Sequence, residues 1–116
     1  IVSNQGGIGL KKFTINDMVL FNQKLINVLL ENQIQITKIE YCPHHPRAIQ
    51  KEMQSCDCRK PSPQMLLNIS KKYNIDLKTS FMIGNSLIDI ETGKNAGCKT
   101  ILVKENEFYE SISTVI

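Results

Sequence analysis

Long apolar runs, runs of a single charge and dense cysteine are all missing from this sequence, and each absence closes off a class of protein. No apolar stretch approaches the roughly 20 residues of a membrane-spanning helix, and no segment resembles a signal peptide. The formal net charge is only +3, from 14 basic and 11 acidic residues. No Lys/Arg run with interleaved aromatics marks a nucleic-acid surface. Four cysteines in 116 residues fall short of the density of a small secreted disulfide scaffold. Hydrophobic residues at 41% and charged residues at 22% are ordinary globular values. The length allows one domain over 1–116 with a real core, near the lower end for an α/β sheet. A cytoplasmic protein with no membrane and no nucleic-acid partner is expected. An initiating methionine is also missing, and Ile1-Val2-Ser3-Asn4 reads as the end of a buried strand, so a segment upstream of Ile1 is expected.

What is present concentrates in residues 41–63, which hold three of the four cysteines and both histidines. Cys42-Pro43-His44 is a Cys-x-His pair and Cys56-Asp57-Cys58 a Cys-x-Cys pair, with eleven residues between them. Two short-spaced pairs brought together by a loop supply the four ligands of a tetrahedral zinc ion without strain. A Cys56–Cys58 disulfide would close a very tight ring that disulfide geometry disfavours, and unligated thiols are the remaining alternative. His44 is preferred to His45 because its spacing mirrors the second pair, which leaves the His45 ring pointing elsewhere. With all four positions filled by protein the metal is structural. It orders the loop and fixes the residues next to it, Arg59-Lys60-Pro61.

The rest of the chain alternates strands and helices. Ile1-Val2 is a short strand leading into the polar, glycine-rich Ser3-Asn4-Gln5-Gly6-Gly7. Such a loop suits an anion, since glycines let backbone N–H groups come close, although most loops of this kind are only turns. Thr14 to Asp17 forms a capping box for a helix whose core face is Met18, Phe21, Leu25, Val28 and Leu29. Residues 34–39 alternate like a strand arriving at Tyr41. After the zinc loop, Ser62 caps a helix with Pro63 at its first position and Met65, Leu66, Ile69 and Tyr73 on its apolar face. Phe81-Met82-Ile83 is an apolar strand, a helix runs from there to about Ala96 with Gly97 as its C-cap, and residues 100–103 are the last strand. Cys98 reads as a small buried hydrophobe. Residues after Lys104 form a tail with no assigned element.

That order predicts an α/β fold, a Rossmann-like parallel sheet with helices on both faces and a zinc-bound loop. Ligands of such sheets bind beyond the carboxyl ends of the strands, where Ser3-Asn4, Arg59-Lys60 and the segment from Gly84-Asn85 to Asp89 are all expected. A hydroxyl, an amide, a lysine and an arginine make a phosphate cradle, and Asp89 with the Asn85 carbonyl oxygen offers the hard ligands that Mg²⁺ prefers. Taken singly, Arg59-Lys60 could be a solvated basic pair and Asp89 a first-turn helix acid. Their common placement favours the phosphate site.

These residues carry a resemblance. Ser3-Asn4-Gln5, Cys-Pro-His-His-Pro at 42–46, Cys-Asp-Cys-Arg-Lys-Pro at 56–61 and Gly-Asn-x-x-x-Asp at 84–89 resemble the haloacid dehalogenase superfamily, and within it the zinc-containing D-glycero-D-manno-heptose 1,7-bisphosphate phosphatases. The histidinol-phosphatase relatives are similar but have a shorter zinc loop. The resemblance implies a Mg²⁺-dependent sugar-phosphate phosphatase that works through an aspartyl-phosphate, with a small sugar phosphate as its partner; a monomer is expected. It implies that Ser3 and Asn4 bind the transferring phosphoryl group, Lys60 neutralises its charge and Arg59 contacts the substrate's distal phosphate. Cys42, His44, Cys56 and Cys58 would hold Zn²⁺, and Asn85 and Asp89 would stand at the Mg²⁺ site.

Two departures from the pattern bear on catalysis. The family's Asp-x-Asp, which supplies nucleophile and general acid/base from the central strand, does not occur in these residues, so that strand and its two acids are expected upstream of Ile1 and the chain alone is expected to be incomplete for catalysis. Asn85 stands where the family carries Asp, which takes one unit of countercharge from the magnesium. The rival expectation is a catalytically impaired or inactive, zinc-stabilised homologue that binds sugar phosphates.

Overall fold

The computed structural model describes residues 1–113. Its elements alternate in chain order: β1 (Val2–Asn4), α1 (Ile15–Glu31), β2 (Glu40–Cys42), α2 (Gln64–Tyr73), β3 (Phe81–Gly84), α3 (Leu87–Ala96), β4 (Lys99–Leu102) and α4 (Phe108–Ser113). The chain divides into two compact units, Ile1–Arg59 and Lys60–Ile116. Each contains one parallel pair of strands, β1 with β2 and β3 with β4. Parallel neighbours need a crossover, and α1 and α3 supply the two crossovers. The α/β class with parallel strands is as expected.

In the first unit Asn4 stands opposite Cys42 in the ladder, so the phosphate-binding candidates and the first zinc ligand end adjacent strands together. The capping box of α1 is present in both directions: Asp17 N–H donates to Thr14 Oγ1 at 3.1 Å, and Thr14 N–H to Asp17 Oδ2 at 2.8 Å. A cap of this kind stabilises a helix by about 1 kcal/mol. The expected core face is only partly buried. Met18 is 3% exposed, Leu25 and Leu29 are half-buried, and Phe21 and Val28 are exposed. A pair of three-residue strands is too small a surface to cover a 17-residue helix, so periodicity marks an apolar stripe without showing what it meets. The strand expected over residues 34–39 is corrected as well. Pairing begins only at Glu40, which stands opposite Val2.

In the second unit Met65, Met82, Ile101 and Val103 form the buried core. Helix α2 starts one residue later than expected, with Pro63 at the cap position and Ser62 Oγ accepting from Gln64 N–H at 3.2 Å. Leu66 and Ile69 are half-buried, while Tyr73 lies at the surface. Gly97 ends α3 in the left-handed conformation at φ 84°, as its C-cap role requires. Strand β4 is shifted one residue towards the N-terminus, to Lys99–Leu102, with Val103 N–H still donating to Gly84 O at 2.9 Å. Cys98 is half-buried rather than buried, and that partial burial pushes its thiol pKa up. The expected tail contains helix α4. Gly93 lets α3 lie directly on the strands, since a Cβ there would come within 2.6 Å of Met82 Cβ and Thr100 Cγ2.

Gly93→Ala therefore has opposing effects: overpacking costs about 1–3 kcal/mol, and helix propensity returns up to about 1 kcal/mol. The expected outcome is a lower urea midpoint for the variant. An unchanged or higher midpoint would show that α3 does not rest on the strands at Gly93.

Candidate functional site

Strand β2 ends at Cys42, which is fully buried. From there the loop is closed by backbone bonds: Gly9 N–H donates to Pro43 O at 3.0 Å, Ile49 N–H to Gly9 O at 3.1 Å, and His45 N–H to Met53 O at 2.9 Å. Gln54 Nε2 adds a bond to Ala48 O at 3.0 Å. The chain thus folds back on itself and delivers Cys56 and Cys58 to Cys42 and His44.

One ligand atom from each of these four residues lies within 4.8 Å of every other. His44 Nδ1 is 3.5 Å from Cys42 Sγ and 3.3 Å from Cys58 Sγ, and the Cys42 and Cys56 sulfurs are 3.5 Å apart. Metal–ligand bonds of about 2.3 Å to sulfur and 2.0 Å to nitrogen make the edges of a tetrahedron roughly 3.5–3.8 Å long, close to these separations. The Cys42 and Cys58 sulfurs are in disulfide contact, a pairing different from the Cys56–Cys58 bond weighed from the sequence. A disulfide would use two of the four groups and give no reason for His44 and Cys56 to converge on the same point. A metal uses all four. Three thiolates and an imidazole are a zinc donor set, and with no open position they make a structural site.

His44, not His45, enters the cluster, as the spacing predicted. The His45 ring turns back on its own loop, where Nδ1 accepts from Arg47 N–H at 3.0 Å. Burial first, then the positive charges of Arg59, Arg47 and Lys12, hold its pKa below the usual histidine value. Arg59 Nη1 donates to His44 O at 3.1 Å, so the arginine expected at a distal phosphate also braces the zinc loop. Ser3 and Asn4 lie within β1 rather than in the loop after it, and Ser3 Oγ accepts from Gln5 Nε2 at 3.0 Å. The glycines of that loop act in packing. Gly6 and Gly9 are both buried, and a Cβ on Gly9 would come within 3.1 Å of Ala48 Cβ and of Pro43 O in the zinc loop.

The second unit joins Lys60 to Asp89. Their Nζ and Oδ1 atoms are 2.5 Å apart, with the two side chains 14% and 10% exposed. Asp89 also closes a capping box on α3: its Oδ2 accepts from Ser86 N–H at 3.2 Å and Ser86 Oγ at 3.0 Å, while its own N–H donates to Ser86 Oγ. A Cβ on Gly84 would overlap the Asp89 side chain, so glycine is required for the carboxylate to stand over the end of β3. Asn85 is exposed beside it. The structure thus shows Asp89 in its helix-acid role, as the first-turn acid of α3. The sequence did not reveal the Lys60–Asp89 pair or the part played by Ser86; the Ser-x-x-Asp spacing at 86–89 was the available signal for the cap.

Residues 57–111 match the HAD-hydrolase-like family. The chain is thus similar to haloacid dehalogenase-like hydrolases over that segment. It is 40% identical over 105 residues to the D-glycero-beta-D-manno-heptose-1,7-bisphosphate 7-phosphatase of Pasteurella multocida, covering 90% of this chain and 57% of that protein. The corresponding alpha-named 7-phosphatase of Photorhabdus laumondii is 39% identical over 106 residues, with 90% and 58% covered. Among solved structures, the D,D-heptose 1,7-bisphosphate phosphatase of B. bronchiseptica, complexed with magnesium and phosphate, superposes with a TM-score of 0.80 at 27% identity, covering 97% of this chain and 60% of that one. The chain spans a little over half the length of the curated relatives it matches.

The Asp89 environment sets an acid limit. Burial alone would raise its pKa, but the hydrogen bonds from Lys60 and Ser86 outweigh it and hold the carboxyl below its ordinary 3.8. A folded pKa below the unfolded one adds stability above about pH 4, and that stability is lost as pH falls through the lowered folded value. Asp89→Asn is expected to remove this contribution, so the variant's stability relative to wild type should recover as the pH drops below 3.8. Urea titrations at pH 6 and pH 3 check it, and an equal deficit at both would contradict the assignment.

Proposed function

We propose that the protein is a Mg²⁺-dependent sugar-phosphate phosphatase that removes the 7-phosphate of D-glycero-D-manno-heptose 1,7-bisphosphate. The observation that carries this reading is the 40% identity to a named 7-phosphatase across 90% of the chain. Histidinol-phosphate hydrolysis is the neighbouring alternative, set aside because the loop between the zinc-ligand pairs is long. Each residue of the site then has a role. Lys60, held by Asp89, neutralises charge on the transferring phosphoryl group; Ser3 and Asn4 bind its oxygens; Arg59 takes the distal phosphate. Cys42, His44, Cys56 and Cys58 hold a structural zinc that keeps Arg59 in place.

The chemistry needs an aspartate nucleophile and a second aspartate as acid/base, and no Asp-x-Asp occurs in the sequence. We place both in a segment preceding Ile1, so that the described residues form part of one phosphatase domain. The carboxylate attacks phosphorus, the ester P–O bond breaks, and the sugar oxygen leaves with the proton of the acid. Water then attacks the aspartyl-phosphate and releases inorganic phosphate, restoring the carboxylate. Magnesium, held at Asn85 and Asp89 with the nucleophile, would supply countercharge to the phosphoryl oxygens. No helix among the described residues is long and apolar enough to cross a membrane. A cytoplasmic monomer acting on a small molecule, with no nucleic-acid partner, completes the reading.

Asn85 favours a second reading, an impaired homologue, because a neutral carbonyl oxygen holds Mg²⁺ more weakly than a carboxylate. Phosphate release by the full-length protein separates the two. Slow Mg²⁺-dependent release from the bisphosphate is expected, and Asn85→Asp is expected to lower the Mg²⁺ concentration for half-maximal rate by about tenfold, the effect of restoring one unit of charge at a close ion contact. Release only from the variant would establish the impaired homologue, and release from neither would overturn the phosphatase.

A further inference from the structure

His45 is the chemistry-bearing residue of the zinc loop that the functional reading leaves unused. Its Nδ1 accepts the Arg47 N–H at 3.0 Å, and a ring nitrogen that accepts cannot carry the proton, so the proton resides on Nε2. Nε2 makes no hydrogen bond among the described residues, and no buried side-chain nitrogen or oxygen among them lacks a partner. The Nε2–H is therefore a donor reachable from solvent.

Its position is set by Gly6. A Cβ on Gly6 would lie 2.9 Å from His45 Cδ2, the atom bonded to Nε2, and 2.9 Å from Arg59 Nη1. The imidazole edge and the guanidinium are thus both packed against the same glycine, two residues beyond Asn4. Arg59 Nη1 donates to His44 O at 3.1 Å, which fixes the guanidinium beside the imidazole. Arg47 and Lys12 add positive charge around the ring. A fixed N–H donor beside a braced guanidinium in a basic setting recognises a phosphate monoester dianion better than a hydroxyl.

We propose that His45 is a substrate-binding residue that, with Arg59, holds the phosphate that is not transferred, and so sets the preference for a bisphosphorylated over a monophosphorylated sugar. The proposal rests on the phosphatase reading above. Gly6 is small because a side chain there would displace both donors.

The test compares full-length wild type and His45→Ala on the heptose 1,7-bisphosphate and on the heptose 7-monophosphate, with zinc content measured on each preparation. Loss of a hydrogen bond to a charged group is expected to raise KM for the bisphosphate about tenfold. The variant's kcat should stay near wild type, its KM for the monophosphate should not change, and its zinc should be retained. His45→Gln, which can place an N–H near Nε2, is expected to recover part of the loss. Equal KM effects on both substrates, or none, would overturn the proposal while leaving the phosphatase intact. Should His45→Ala lose zinc, His45→Phe, which keeps a ring over Gly6 without the donor, decides between the same two outcomes. No turnover of either substrate by wild type would overturn the phosphatase reading and this inference together.

Discussion

Four ligands converging on one point turn an eleven-residue excursion into a fixed structure. The loop between His44 and Cys56 contains little apolar material; Ala48 is its buried residue, while Ile49 is 64% exposed. Such a segment cannot offset its ordering entropy by burial. Ligation at both ends removes most of the closure cost from the loop itself. The consequences reach Arg59, which directly follows the last cysteine and bonds back to His44 O, and His45, which directly follows the histidine ligand.

The second constraint is electrostatic. Lys60 and Asp89 are both largely withdrawn from water, where an unpaired charge is costly and a pair with supporting hydrogen bonds is tolerated. Asp89 meets that condition three times over, through Lys60, Ser86 Oγ and Ser86 N–H. Gly84 makes room for it. The carboxylate is thereby fixed at the end of β3 beside Asn85.

What could be read from the sequence was what is local. The zinc ligands follow from Cys-x-His and Cys-x-Cys spacing, and the caps at Thr14 and Gly97 from single residues with strong positional preferences. The extent of the strands was not legible, because the alternation over residues 34–39 does not show that pairing with β1 begins only at Glu40. The apolar stripe of α1 was visible, but its exposure at Phe21 and Val28 depends on what is available to cover it. Lys60 and Asp89 were each recognised, yet a pair 29 residues apart leaves no spacing signal. His45 was correctly excluded as a ligand. Its relation to Gly6 and Arg59 exists only once the loop is closed.

Zinc K-edge X-ray absorption on the purified protein tests the central claim most directly. A bound ion with three sulfur neighbours at about 2.3 Å and one nitrogen at about 2.0 Å is the expected result. A metal-free protein whose Cys42 and Cys58 are oxidised to a disulfide, or a zinc shell without the imidazole, would contradict the account of the loop and of the residues it positions.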